Sequence, residues 1–129
     1  MLTCDESFFS KAPYSYRFPV DLPVPPERVW ESLTSAHPLA EWGGLPIRRI
    51  EWTSPRPLGV GATREIEMTG NSFALREYYF RWDEGTRYSF YGTECNRSVL
   101  RRFAEDYVVE KTAGGSRFTW TIALEPADK

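Results

Sequence analysis

The stretch Leu22-Pro-Val-Pro-Pro-Glu-Arg-Val-Trp-Glu-Ser-Leu33 decides how the N-terminal part of this chain folds. Prolines followed by Glu27 are typical of the first turn of a helix, where no backbone N–H is required and a carboxylate complements the helix dipole. The apolar residues Val29, Trp30 and Leu33 then share one helical face. We therefore expect a strand that ends at Leu22 and a helix that ends at His37-Pro38, because a residue before proline avoids the helical conformation.

The second informative stretch, Gly59-Val-Gly-Ala-Thr-Arg-Glu-Ile66, predicts a glycine turn that opens a strand. From there onward apolar and polar residues alternate with the period of a sheet, and the short glycine-containing loops predict antiparallel neighbours. Pro19 marks the first strand, at 14–22, as an edge strand or a bulge, since it cannot donate to a ladder. The remaining strands are expected at 47–52, 62–68, 73–82, 87–95, 98–110 and 117–124.

These elements predict an α+β protein with a curved antiparallel sheet of about seven strands and two short helices after the first strand. The second helix is expected at 39–42. Residues 1–13 show no clear period and are expected to form a loose N-terminal arm, and residues 14–129 a single domain.

Composition excludes several classes of function. The net charge of −2 offers no electrostatic footprint for nucleic acid. The N-terminus does not resemble a signal peptide, and no window has the ~18 apolar residues of a membrane span. Cys4 and Cys95 are far apart and are expected to be free thiols, as in a reducing cytosol, although a bridge is the alternative. We therefore expect a cytoplasmic protein.

Motifs of reaction chemistry or of cofactor binding are not apparent in the sequence. The single histidine, His37, precedes a proline in a turn, and no GxSxG elbow supplies a nucleophile for it. One histidine and two isolated cysteines do not form a zinc set. Gly59-Val-Gly61 precedes a strand instead of a helix, so no helix N-terminus is placed to hold a pyrophosphate. We expect no metal and no cofactor.

Two basic pairs, Arg48-Arg49 and Arg101-Arg102, lie near acidic residues in the sequence. We interpret both as parts of solvated sheet faces, balanced by Glu51, Glu105 and Asp106.

Arg64 and Glu77 are the charged residues that alternation places on partly apolar, inward-facing positions of neighbouring strands. A buried charge is costly unless it is paired or contacts a ligand. The pair is therefore either a structural ion pair or the polar anchor of an otherwise apolar pocket. The residues expected to line that pocket are Trp42, Arg64, Ile66, Met68, Leu75, Glu77, Tyr79, Tyr88, Phe90, Tyr107 and Trp120.

The chain resembles the SRPBCC superfamily, the START-like proteins of the helix-grip fold, and within it the bacterial polyketide cyclase/dehydrase-like branch. The resemblance covers residues 16–126. It rests on the order and spacing of Val24-Pro-Pro-Glu-Arg-Val-Trp30, Trp42, Gly59-Val-Gly-Ala-Thr-Arg64, Leu75-Arg-Glu77 and Gly115-Ser-Arg-Phe-Thr-Trp120.

The resemblance implies a sheet that grips a long C-terminal helix, with an apolar cavity between them. That helix would follow Glu125-Pro126, yet the sequence given stops at Lys129. The helix is therefore expected to be missing, and the concave face to need another cover, such as a second copy in a homodimer.

Three functions are compatible with the resemblance. The first is a binding or carrier protein for an apolar or amphipathic small molecule, such as a lipid or a polyketide-like aromatic. The second is a cyclase or dehydratase in which Glu77 acts as general acid or base and Arg64 stabilises an enolate. The third is a protein-interaction domain. The single histidine, placed in a turn, favours binding over catalysis.

Overall fold

A computed structural model of the protein describes residues 1–36, 47–70 and 73–127. Two helices and seven strands follow one another within these ranges. They are α1 (Phe8–Lys11), β1 (Tyr14–Leu22), α2 (Pro26–Thr34), β2 (Ile47–Trp52), β3 (Thr63–Met68), β4 (Ala74–Asp83), β5 (Arg87–Cys95), β6 (Leu100–Thr112) and β7 (Gly115–Pro126). The strands form one antiparallel sheet in the order β1-β7-β6-β5-β4-β3-β2. The α+β helix-grip prediction, without a long C-terminal helix in the described residues, is confirmed.

Strand β1 lies at one edge of this sheet, as Pro19 predicts, and pairs with β7 along its whole length. Strand β2 forms the other edge, so the chain crosses between the two edges after α2. That helix turns Val29, Trp30 and Leu33 to the sheet, where all three are buried. It ends at Thr34, before the expected end at His37. The second predicted helix, with Trp42, lies outside the described residues.

The N-terminal arm is packed instead of loose, which corrects the expectation from the sequence. Its one-turn helix α1 buries Phe8 against Ala104 and Ala123 on the convex face of the sheet. The backbone N–H of Leu2 donates to the carbonyl of Arg101 at 3.0 Å. A single turn is too short to produce a periodic pattern, so this element leaves little signal in the sequence.

Side-chain alternation divides the sheet into a concave apolar face and a convex charged face. On β3, Arg64 and Ile66 face the concave side, while Glu65 and Glu67 bond Arg49 on the convex side at 3.1 and 3.0 Å. The solvated-face interpretation therefore holds for Arg49.

Strand β4 is irregular in its pairing with β5. The register shifts between Tyr79 and Arg81, so that Tyr79 opposes Phe90 and Trp82 opposes Tyr88. One extra residue on this strand lets Tyr79 and Trp82 both join the concave core, although three positions separate them. Phe80, between them, packs on the convex side beside Tyr91, with the ring centroids 5.8 Å apart.

Gly115 makes a close approach that only glycine permits. Its φ is +150°, and a Cβ there would lie 2.3 Å from the carbonyl oxygen of Leu22 and 2.8 Å from the backbone nitrogen of Val24. The β6–β7 hairpin therefore touches the chain between β1 and α2 through backbone alone, which fixes where α2 starts over the concave face.

Candidate functional site

A cavity of about 530 Å³ opens on the concave face of the sheet. Aliphatic and aromatic side chains from every strand except β5 form its wall, interrupted by three residues that are normally charged. The lining consists of Val20, Leu22, Ile47, Arg64, Ile66, Met68, Phe73, Leu75, Glu77, Phe103, Glu105, Tyr107, Phe118, Trp120 and Ile122. Small-molecule sites are typically concave, mostly apolar and supplied with a few convergent polar groups, and this cavity has all three features.

Seven of the residues expected from the sequence to line a pocket do line this cavity: Arg64, Ile66, Met68, Leu75, Glu77, Tyr107 and Trp120. Tyr79, Tyr88 and Phe90 lie elsewhere, fully buried in the aromatic core between β4, β5 and α2. Trp42 lies outside the described residues. Contact of any of them with a ligand remains a prediction.

Arg64 and Glu77 form a buried ion pair at the floor of the cavity. They stand directly opposite each other on β3 and β4, and Nε of Arg64 lies 2.6 Å from Oε1 of Glu77. Their side chains are only 1% and 2% exposed. The guanidinium carbon also lies 5.0 Å from the ring centroid of Phe90 and 5.3 Å from that of Trp52. Aromatic faces therefore supply part of the stabilisation that water would otherwise give this cation.

Burial and the ion pair act in opposite directions on both members of the pair. Burial raises the pKa of Glu77 above its ordinary value, and the contact with Arg64 opposes that rise. For Arg64, burial lowers the pKa, but Glu77 and the neighbouring tyrosines together outweigh it and hold the pKa well above its ordinary value. The 2.6 Å contact stabilises the charged form of each partner, so that the two groups compensate each other.

Two polar atoms near this ion pair have no hydrogen-bond partner among the described residues. They are Nη1 of Arg64 and the hydroxyl of Tyr79. A buried donor without a partner is expensive, and native structures contain few of them. Nη1 is itself buried, because the rings of Trp52, Tyr79 and Phe90 surround the guanidinium group.

Glu105 is a third buried polar residue, and its interpretation from the sequence was wrong. It was placed on a solvated face beside Arg101-Arg102, but it lines the cavity and is only 8% exposed. Arg102 bonds Glu125 instead, with Nε 2.7 Å from Oε1. The alternation of Phe103, Glu105, Tyr107 and Val109, all buried, is the signal that points Glu105 inward.

Two aromatic donors hold the carboxyl group of Glu105. The Tyr107 hydroxyl donates to Oε1 at 3.1 Å, and the indole N–H of Trp120 donates to the same oxygen. Burial raises the pKa of Glu105 to about 8, with a further contribution from the negative charge of Glu77, while Arg64 and the two donors lower it. At neutral pH this carboxyl is therefore mostly protonated, and its proton resides on Oε2, away from both donors.

The described part of the chain contains no cluster of three or more His, Cys, Asp or Glu residues that could hold a metal ion. Cys4 and Cys95, both described, are not joined by a disulfide bond. Within residues 1–36, 47–70 and 73–127, no helix is long and apolar enough to cross a membrane.

The chain belongs to the family described as "Polyketide cyclase / dehydrase and lipid transport", whose pattern matches residues 15–129. The uncharacterized protein Rv2574 of Mycobacterium tuberculosis is 40% identical to this chain over 121 residues. The matched stretch covers 94% of this chain and 71% of that relative. The uncharacterized protein Mb2604 of Mycobacterium bovis matches to the same extent.

Solved structures share the fold at low sequence identity. The ginseng major latex-like protein 151 from Panax ginseng is 12% identical, with a TM-score of 0.74 over 89% of this chain and 80% of that chain. The Zhui aromatase/cyclase from a Streptomyces species is also 12% identical, with a TM-score of 0.74 over 90% of this chain and 70% of that chain. Together with the family, these neighbours support a hydrophobic ligand-binding fold.

Proposed function

We propose that the protein binds or carries an apolar or amphipathic small molecule, a lipid or a polyketide-like aromatic, in the cavity on the concave face of the sheet. The observation that carries this proposal is a concave wall of aliphatic and aromatic side chains with a few convergent polar groups, the buried Arg64–Glu77 pair and the carboxyl of Glu105. The cavity volume of about 530 Å³ falls in the range of small-molecule sites, which is roughly 300–1,000 Å³.

Catalysis by Glu77, in a cyclase or dehydratase, is the weaker alternative. A general base must present a carboxylate oxygen to the proton that it removes, but Oε1 of Glu77 is held 2.6 Å from Arg64. Protonation of Glu77 during a reaction would leave the guanidinium as an uncompensated buried charge. The Zhui aromatase/cyclase shares only the fold with this chain, so it gives no residue-level support for this alternative.

The exposed apolar side chains of β1 form a surface to which a partner would bind. Tyr14, Tyr16, Phe18 and Val20 occupy successive concave positions of this edge strand and are 41–50% exposed. Because such contiguous apolar patches usually meet a partner, we propose that a second copy of the chain covers them. A heterologous protein partner, which would make the chain an interaction domain, is the competing occupant. The two isolated cysteines support a cytoplasmic location as part of the same proposal.

Native mass spectrometry of freshly purified protein tests the binding function. We expect adducts of a few hundred daltons on the wild type, and their loss from Ile66→Trp, which fills the cavity from the middle of β3. The matched control is Val60→Trp, which adds the same ring at a position that is 66% exposed.

The outcomes of this experiment separate the proposal from its alternatives. Adducts that Ile66→Trp removes and Val60→Trp retains support a ligand in the cavity. Adducts that both variants retain would place the ligand elsewhere. A wild type without adducts, which also fails to take up added apolar compounds, would contradict the binding function.

A further inference from the structure

The charge of the cavity depends on one residue. Among the described residues that line it, only Arg64, Glu77 and Glu105 are normally charged. Arg64 and Glu77 compensate each other at 2.6 Å. The protonation state of Glu105 therefore decides whether an incoming molecule meets a neutral or an anionic cavity.

Within the described part of the chain, no cation is dedicated to Glu105. Its cross-strand neighbours are Phe90 on β5 and Ile122 on β7, which are both apolar. The charged groups that face it are Arg64 on β3, already paired, and Glu77 on β4, which repels a negative charge. Tyr107 on its own strand has a pKa raised well above its ordinary value by burial and stays neutral.

The other described elements around the cavity line it with apolar side chains only. Strands β1 and β2 contribute Val20, Leu22 and Ile47. The charged residues of α2, which packs against β6 and β7, are at exposed positions: Glu27, Arg28 and Glu31. In the described surroundings, Arg64 and the two aromatic donors offset only part of the cost of burying a carboxylate at position 105, so burial still favours its neutral form.

We propose that the cavity selects an uncharged ligand with a carbonyl-type acceptor, which receives a hydrogen bond from the protonated carboxyl of Glu105. The cavity discriminates against a carboxylate of the same shape. This inference rests on the proposed binding function and names the class of ligand. Glu105 lines the cavity, and Tyr107 and Trp120 both donate to its Oε1, which leaves Oε2 to meet the acceptor. A carboxylate would instead add a net negative charge to an apolar, desolvated site beside Glu77, and such burial is costly.

Calorimetric titration with two nearly isosteric probes, 2-acetylnaphthalene and 2-naphthoate, tests this proposal. The ketone and the carboxylate differ only in replacing a methyl group by a charged oxygen, and the carboxylate stays ionised at neutral and alkaline pH. Near neutral pH we expect the ketone to bind wild-type protein at least about ten-fold more tightly. Between about pH 7 and pH 9 its affinity should fall about ten-fold, because only the fraction with protonated Glu105 is competent to bind.

The variant Glu105→Gln isolates the role of this residue. The amide donates a hydrogen bond at every pH, so ketone binding should persist and its pH dependence should disappear. Glu94→Gln, a change of a carboxylate that is 66% exposed on the convex side, is the matched control and should retain the wild-type pH profile. Circular dichroism of each variant checks that it is folded.

Each result has a distinct meaning. Binding of 2-naphthoate as tight as that of the ketone, or a ketone profile that Glu105→Gln leaves unchanged, would overturn the inference while leaving a ligand-binding protein. Failure of both probes to bind the wild type would count against the binding function itself.

Discussion

The replacement Glu105→Gln should change how the stability of the protein depends on pH. The carboxyl has an ordinary pKa of 4.5 in the unfolded chain and a pKa of about 8 in the folded protein. Between these two values the folded state binds more protons than the unfolded state, so the free energy of unfolding falls as pH rises. This contribution is fully present below about pH 4.5 and is lost as pH rises through about 8.

The magnitude follows from the same two pKa values. Each pH unit inside the window costs at most about 1.4 kcal/mol. From about pH 6 to about pH 8 the loss is about 2 kcal/mol, because the folded carboxyl already begins to ionise near the upper limit. In the variant, the amide oxygen accepts from Tyr107 and Trp120 as Oε1 does, but it does not titrate. The variant should therefore lack this loss.

Urea denaturation followed by circular dichroism measures the effect in both proteins at several pH values between about 6 and 8. All other titrating groups, including the single histidine His37, are common to both chains and cancel in the difference. We expect the wild type to lose about 2 kcal/mol relative to Glu105→Gln across this range. Parallel stability curves would show that Glu105 ionises at an ordinary pKa and would refute the reasoning.

Three further changes test other parts of the structure. Gly115→Ala should lower the free energy of unfolding by about 2–4 kcal/mol, because its Cβ would meet backbone at 2.3 Å. Gly114→Ala has open space around its Cβ and should change the stability little, so equal effects of the two variants in chemical denaturation would contradict this. Glu77→Leu should lower the free energy of unfolding by about 3–5 kcal/mol, because it leaves Arg64 unpaired. The double variant with Arg64→Met should recover most of that stability, and losses that simply add would argue against the ion pair. Tyr16→Glu, on the exposed concave side of β1, should abolish self-association in sedimentation analysis, and a wild type that is monomeric at high concentration would contradict the homodimer.

The sheet was predictable because alternation is strong wherever one face of a strand is buried. Strands β1, β2 and β5 begin and end at the predicted residues, and the ends of the others differ by one or two residues. The pattern on β3 correctly predicted that Arg64 points inward. Glu65 and Glu67 mark one face of the strand as the solvated one, and Arg64 lies on the opposite face. The first turn of α2 was predictable from its prolines.

The site was predictable only in part, for two physical reasons. The register shift on β4 brings Tyr79 and Trp82 to one face, and a shift of this kind cannot be located from alternation alone. Glu105 was misassigned because basic residues close in sequence suggested partners for it. Neighbours in a strand point to opposite faces, however, so Arg102 and Asp106 find other partners on the convex side.

The aromatic residues show a further limit of sequence patterns. An inward position does not distinguish a cavity wall from a filled core, because that depends on what packs above it. Tyr88 and Phe90 lie under α2 and the rings around it, whereas Tyr107, on the next strand, reaches the cavity. The position of α2 over the sheet is a tertiary property that single-strand patterns do not contain.

The most direct test of the central claim, a ligand site on the concave face, is a titration with 2-acetylnaphthalene followed by the NMR signals of side-chain N–H groups. The indole N–H of Trp120 bonds Glu105 in the cavity, whereas that of Trp82 bonds Glu84 outside it. We expect the signals of Trp120 and of Nε–H of Arg64 to shift together and saturate at one dissociation constant, while the Trp82 signal stays in place. A saturable shift of Trp82 with Trp120 and Arg64 unchanged would contradict the account.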